Sequence, residues 1–252
     1  YVTFNDVANV LLAAGGSPIR SDDADDVEDI TSICGGLNIN IGTLNKNTIP
    51  SMFLAGKKAN ELGHIVLLDP VGAGASRLRT DTANRLMQEV RFDAVRGNIS
   101  EIKTLCTGSG STKGVDADAV DAVTEANLDD GVQLVKTFAQ RAGCIVAVTG
   151  AIDLVSDGER CWCIRNGRAE MSRITGTGCQ LSALMTAFLV ANPDHKLAAA
   201  AAAVCMMGLA GEIGWANMQP GDGNSTYRNR IIDAIFNMTG DALEKGAKYE
   251  LR

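Results

Sequence analysis

A chain of 252 residues, 46% of them apolar, with 27 glycines and a net charge of −7, has the length and apolar content to bury a full core. Its acidic charge is dispersed, and no basic face with interleaved aromatics occurs among 6 Phe, 3 Tyr and 2 Trp, so nucleic acid is excluded as an expected partner and a small-molecule role is favoured. Collagen, disorder, coiled coil and a disulfide scaffold fail on composition and size, and no apolar stretch is expected to reach the roughly 20 residues that cross a bilayer.

The chain opens at Tyr1 without Met and reads as already inside a domain, with no basic segment before an apolar run. No signal peptide is expected, and native residues are expected to precede Tyr1. From Thr3 to Ala14 apolar residues recur at helical spacing, and Gly15-Gly16-Ser17-Pro18 ends the helix. The acidic run Asp22, Asp23, Asp25, Asp26, Glu28 and Asp29 lacks the spacing of a calcium loop. It reads instead as the start of a helix capped by Ser21, with Val27, Ile30 and Ile33 as its buried stripe.

Four short apolar runs follow, at Gly36 to Thr43, Ile65 to Asp69, Asp93 to Arg96 and Cys144 to Thr149. Helices are predicted between them at Ile49 to Leu62, Thr80 to Val90 and Val132 to Ala142. This alternation predicts an α/β fold, a mostly parallel sheet with helices on both faces. Leu154 to Ser156, Cys161 to Ile164 and Ala169 to Ile174 read as hairpin strands on one edge, with turns at Asp157-Gly158 and Asn166-Gly167. The remainder reads as helix: Gly178 to Ala191, Lys196 to Trp215, in which six alanines (Ala198 to Ala203) indicate close packing, and Ser225 to Lys245. No linker or repeat interrupts the chain, so residues 1–252 are expected to form one domain. Cys34, Cys106, Cys144, Cys161, Cys163, Cys179 and Cys205 form no CxxC pair and fall mostly in apolar runs, which predicts reduced thiols in a cytoplasmic protein.

Ligands of an open parallel sheet collect at the carboxyl ends of its strands. There the chain carries Asn40-Ile41-Gly42-Thr43, Asp69-Pro70-Val71-Gly72-Ala73-Gly74, Arg96-Gly97-Asn98-Ile99-Ser100-Glu101, Thr149-Gly150 and Thr175-Gly176-Thr177-Gly178-Cys179. Gly176 and Gly178 precede an apolar helix, where close backbone and unpaired N–H groups make a phosphate cradle or anion hole, although an ordinary turn has the same composition. Neither a Walker loop nor GxGxxG is present. Cys179 stands at the helix start, where the dipole favours a thiolate able to accept a proton; a small buried apolar residue is the plainer alternative. Asp69 and Glu101 are candidate Mg²⁺ carboxylates, against readings as a turn residue and a first-turn helix residue. Arg96 suits phosphate charge, against an ordinary ion pair. With only His64 and His195, histidine catalysis and a zinc site are not expected.

Together DPVGAG (Asp69 to Gly74), RGNxxEI (Arg96 to Ile102), AVTG (Ala147 to Gly150), TGTGC (Thr175 to Cys179), NIGTL (Asn40 to Leu44) and GGSPI (Gly15 to Ile19) resemble the hydroxyethylthiazole kinase family, over nearly the whole chain. The resemblance implies a ribokinase-like three-layer sandwich, lacking the family's N-terminal helix. It implies transfer of phosphate from Mg²⁺-ATP to the hydroxyethyl group of a thiazole in thiamin salvage, by a homotrimer with sites between subunits. It further implies that Arg96 and Thr149 contact ATP, that Gly176 contacts substrate, that Asp69 and Glu101 attend Mg²⁺, and that Cys179 replaces the aspartate base of related kinases. Val2 and Gly42 correspond to thiazole-pocket positions, Val2 in a neighbour's site.

Two positions depart from the family pattern. Arg20, in Ser17-Pro18-Ile19-Arg20, replaces a methionine that packs on the thiazole, and Gly221-Asp222-Gly223-Asn224-Ser225-Thr226 replaces GPGSF. A kinase for another small heteroaromatic alcohol such as hydroxymethylpyrimidine, a lyase of the same superfold that repairs a hydrated nicotinamide cofactor, and a non-catalytic ligand sensor are the alternatives.

Overall fold

The computed structural model describes residues 3–107 and 122–252. Four parallel strands, β1 (Gly36–Asn40), β2 (Ile65–Asp69), β3 (Ala94–Asn98) and β4 (Ile145–Thr149), lie side by side in chain order. Three antiparallel strands, β5 (Asp153–Ser156), β6 (Cys161–Ile164) and β7 (Tyr249–Leu251), extend the same sheet. Side chains of a strand alternate between faces, and each face here has its own core. Ile65, Leu67, Ala94, Ile145 and Ala147 face one way. Val66, Leu68, Val95, Val146 and Val148 face the other.

The second face is covered by α3 (Thr48–Leu62), α4 (Arg77–Glu89), α5 (Ile99–Thr107) and α6 (Leu128–Ala142), the crossovers between parallel strands. The first is covered by α1 (Phe4–Ala13), α7 (Thr177–Ala191), α8 (Lys196–Ala216) and α9 (Asn224–Phe236). The result is the three-layer α/β/α arrangement expected, with a mixed edge.

Helix α8 corrects one expectation. With the turn before it, Pro193–Ala216 is long and apolar enough to cross a membrane by length and composition, yet 78% of its most apolar window is buried inside the protein. Ala199, Ala200, Ala201 and Ala203 are buried in the first core, so the alanine run serves close packing, as expected.

Other boundaries move for local reasons. The first strand ends at Asn40 rather than Thr43, because the Gly42 N–H turns back onto Asn40 Oδ1 at 2.9 Å. Ala169 to Ile174 is not a strand: Ala169–Arg173 forms a 3₁₀ turn, and the edge of β6 is taken by β7, which was not anticipated. The last predicted helix is two, α9 and α10 (Gly240–Gly246), the second capped by Thr239 Oγ1, which accepts the Ala242 N–H at 3.2 Å. Nor does Ser21 cap a helix. Helix α2 (Val27–Ser32) starts six residues later without a side-chain cap, Ser21 Oγ is buried with no hydrogen-bond partner among the described residues, and Ile33, beyond the last turn, is 71% exposed.

Candidate active site

Because β1 to β4 are parallel, their carboxyl ends share one rim. Register aligns Asn40 with Asp69, and Asn98 with Thr149. The N-terminus of α7 docks against the same rim: Cys179 Sγ accepts a hydrogen bond from Asn40 Nδ2 at 3.2 Å, and Ser182 Oγ donates to Asp69 Oδ2 at 2.8 Å. Cys179 and Ser182 are three residues apart on a helix and so share a face.

Asp69 is fully buried at the end of β2. Its Oδ2 accepts from Asn40 and Ser182, each at 2.8 Å, and lies 3.8 Å from Arg96 Nη1. Its Oδ1 is buried with no hydrogen-bond partner among the described residues, as is Arg96 Nε. Burial, with a smaller contribution from the Glu101 charge, raises the Asp69 pKa above the usual carboxylate value, against the opposing pull of Arg96, Ser182 and Asn40. An orphaned oxygen on a buried carboxylate whose charge is incompletely offset is what a cation site requires. The residues therefore fit a divalent ion at Asp69, although no group of three His, Cys, Asp or Glu side chains gathers among the described residues. Such an ion would draw its other ligands from phosphate and water, the habit of Mg²⁺.

Glu101 is differently occupied. Its Oε1 accepts the Gly72 N–H and its Oε2 the Asn98 N–H, both at 2.8 Å, while the Glu101 N–H donates to Asn98 Oδ1. This reciprocal pair is a capping box that starts α5 and braces the loop after β2. One accepted bond leaves each oxygen a lone pair, so the backbone role does not consume the carboxylate.

Arg96 lies nearly buried in β3, its Nη2 donating to Thr149 Oγ1 at 2.5 Å. Its guanidinium lies directly under the start of α7, so close that a Cβ on Gly178 would stand 2.5 Å from Nη1. The first bond inside α7 runs from the Gln180 N–H to the Gly176 carbonyl at 2.9 Å, which leaves the N–H groups of Thr177, Gly178 and Cys179 ahead of it. Guanidinium and helix terminus thus place positive charge at one spot, an anion site. Gly176 enters the helix at φ +84°, with Thr3 of the N-terminal segment packed against it.

The surroundings of Cys179 oppose the thiolate that its place at a helix start suggests. Burial, followed by the Asp69 charge, holds the thiol above its ordinary pKa; hydrogen bonds from Asn40 and Thr3 and the Arg96 charge oppose this and do not outweigh it. Desolvation is the largest influence on this sulfur and favours the thiol form over the thiolate. Cys144 and Cys205 behave as the small buried residues expected, their thiols pushed up by burial to about 12 and about 11.

Gly42 joins the rim through Asn40, and its carbonyl accepts from Arg79 Nη2 at 3.0 Å while Arg79 Nη1 donates to the Val71 carbonyl at 3.2 Å. Arg20 stacks on Phe4, 3.5 Å from the ring centroid, and pairs with Asp22. Val2 lies outside the described residues. Asn40, Ser182, Arg79 and Thr3 were not anticipated as site residues. Ser182 carried a signal in its three-residue spacing from Cys179, and Asn40 in opening the strand-end motif Asn40 to Thr43.

Against models of protein families, residues 1–241 match the one described as the hydroxyethylthiazole kinase family. The chain is 55% identical to a hydroxyethylthiazole kinase of Clostridium acetobutylicum, over 99% of this chain and 92% of the relative. It is 48% identical to one of Ruminiclostridium cellulolyticum, over 94% and 85%. Among solved structures, a hydroxyethylthiazole kinase from Pyrococcus horikoshii OT3 superposes with a TM-score of 0.87 at 30% identity, covering 100% of this chain and 91% of that one. The pyridoxal kinase of Staphylococcus aureus, bound to AMP-PCP and pyridoxal, shares the fold at a TM-score of 0.61 and 16% identity, over 98% and 92%.

Proposed function

The chain belongs to the hydroxyethylthiazole kinase family, and from that membership we propose that it transfers the γ-phosphoryl group of ATP to the primary alcohol of 4-methyl-5-(2-hydroxyethyl)thiazole in thiamin salvage. The observation that carries the reading is the meeting of Asp69, Arg96 and Thr149 with the N-terminus of α7 on one rim. A polyphosphate there meets a guanidinium, unpaired N–H groups and a buried carboxylate in a single place.

In this reading the alcohol oxygen bonds to the γ-phosphorus as the bond to the ADP oxygen breaks, and the alcohol proton is released. The transition state is loose, so positioning and electrostatics dominate over a strong base. Arg96 and Thr149 hold the phosphates, the turn from Gly176 through Gly178 supplies backbone donors, and Cys179 orients the alcohol as a neutral thiol. Asp69, with Glu101 as second carboxylate, would hold Mg²⁺, which supplies positive charge to the polyphosphate. Gly42 and Gly176 line the thiazole site in this reading, and the family correspondence assigns Val2, outside the described residues, to a neighbour's site. Arg20, tied to Phe4 and Asp22, brings a cation to the acceptor side where the family pattern has a methionine. A homotrimer with shared sites and a cytoplasmic location complete the proposal, the latter in keeping with seven free cysteines.

The test incubates the protein with Mg²⁺-ATP and a panel of alcohols: the thiazole, hydroxymethylpyrimidine and pyridoxal. Mass spectrometry of the phosphate esters, with ADP release in parallel, is expected to give turnover on the thiazole at least tenfold above the others. Preference for another alcohol, or binding without any ester, overturns the assignment. Light scattering tests the trimer by mass.

A further inference from the structure

The Asn40 side chain touches the Gly42 loop, the buried Asp69 carboxylate and the Cys179 thiol together. The Gly42 N–H can only donate, so the atom facing it at 2.9 Å is the amide oxygen. That fixes the orientation of the whole amide and turns Nδ2 toward both Asp69 Oδ2 at 2.8 Å and Cys179 Sγ at 3.2 Å. Both Nδ2 hydrogens are thereby spent, one on each partner. The sulfur accepts on its Asn40 side, so the thiol proton is directed away from the amide.

We propose that Asn40 is a positioning residue of the phosphoryl-transfer site, which acts through Cys179 and Asp69 and links them to the Gly42 loop. Asn40 adjoins Asp69 in the register of β1 and β2, so its amide is held by the sheet itself. Cys179, by contrast, arrives from α7, and Asn40 joins the Ser182–Asp69 bond in tying the start of that helix to the strand ends. The proposal rests on the kinase reading for its consequence in turnover, but the hydrogen bonds stand apart from it.

Two measurements test it. In the first, Asn40→Ser keeps a short acceptor for the Gly42 N–H but reaches neither Asp69 nor the thiol, and Asn40→Asp keeps the shape while replacing the donor with an acceptor. Both are expected to lower kcat on the thiazole alcohol at least thirtyfold with KM for ATP within threefold. In a Cys179→Ala background the Asn40→Ser effect should shrink at least fivefold. An unchanged kcat, or an equal effect in both backgrounds, overturns the proposal.

The second measurement needs no activity: the Asn40 side-chain amide is followed by NMR in protein labelled with ¹⁵N-asparagine, without substrates. Cys179→Ala is expected to shift one Nδ2 proton and leave the proton facing Asp69 in place; if neither moves, the bridge to the thiol does not exist. A wild-type chain that phosphorylates no thiazole alcohol defeats the kinase reading, whereas the amide signal still decides the role of Asn40.

Discussion

Ser182 donates its hydroxyl to Asp69 Oδ2 over 2.8 Å, a bond that fastens the second turn of α7 to the end of β2. Both residues are buried, so no solvent replaces the bond once it is lost. Ser182→Ala is expected to destabilise the protein by about 1–3 kcal/mol, the cost of leaving a buried charged acceptor short of a donor. Urea unfolding measures this, and an unchanged midpoint contradicts it.

Arg96 and Asp69 form a loose buried pair at 3.8 Å, and the Arg96 charge is the strongest influence favouring the Asp69 carboxylate. Arg96→Met leaves the carboxylate unmatched and is expected to cost about 3–5 kcal/mol. Adding Asp69→Asn removes the stranded charge, so the double variant should be more stable than Arg96→Met alone. A double variant less stable than that single one refutes the pairing.

Asp153 Oδ1 accepts the Gly150 N–H at 2.8 Å beside the Thr149 strand end. Burial holds its pKa up at about 7, although Gly150 and the Arg96 charge pull the other way. The folded state therefore binds a proton between about pH 4 and 7 that the unfolded state has released, and stability contributed by this group is complete below about pH 4 and lost as pH rises to 7. Asp153→Asn does not titrate, so the wild type should lose ground against it across that window, by at most about 1.4 kcal/mol per pH unit. Parallel unfolding curves at pH 4.5, 5.5, 6.5 and 7.5 check the sign.

Gly176 combines φ +84° with a position where a Cβ would stand 2.3 Å from Thr3 Cγ2. Gly176→Ala is expected to cost at least about 1–2 kcal/mol from the backbone alone, with the clash in addition. Thr3→Ala in the same chain should return the second part only, leaving the melting temperature between those of the wild type and the single variant. Full recovery would show that the backbone conformation carries no strain.

Asp69, Arg96, Thr149, Gly176 and Cys179 were legible in the sequence because each follows or ends a strand, or opens the helix that docks there. Asn40 is visible in the sequence only as the first residue of the strand-end motif Asn40 to Thr43; its bonds to Asp69 and Cys179 follow from the sheet register and the docking of α7, which no local pattern encodes. The two readings of Cys179, thiolate and small buried residue, could not be separated in the sequence, since a helix start is visible there whereas burial beside a carboxylate is not. Among the elements, Ala169 to Ile174 imitated a strand through its spaced apolar residues, and the true neighbour of β6 lay some eighty residues further along the chain. The parallel core was plain because continuous apolar strands alternating with helices admit few other arrangements.

The closing strand β7 gives the chain's last residues a protective task. Cys161 and Arg252 exchange backbone hydrogen bonds at 2.6 and 2.8 Å, and Arg165 donates to the Lys248 carbonyl at 2.8 Å, so β6 is zipped shut along its length. Removing residues 248–252 would bare a ladder of unpaired peptide groups along β6, a template on which another chain can add. A truncated chain should accordingly self-associate on mild warming while the rim at the carboxyl ends of β1 to β4 remains intact. Turbidity that rises before nucleotide binding is lost would be the mark of that failure.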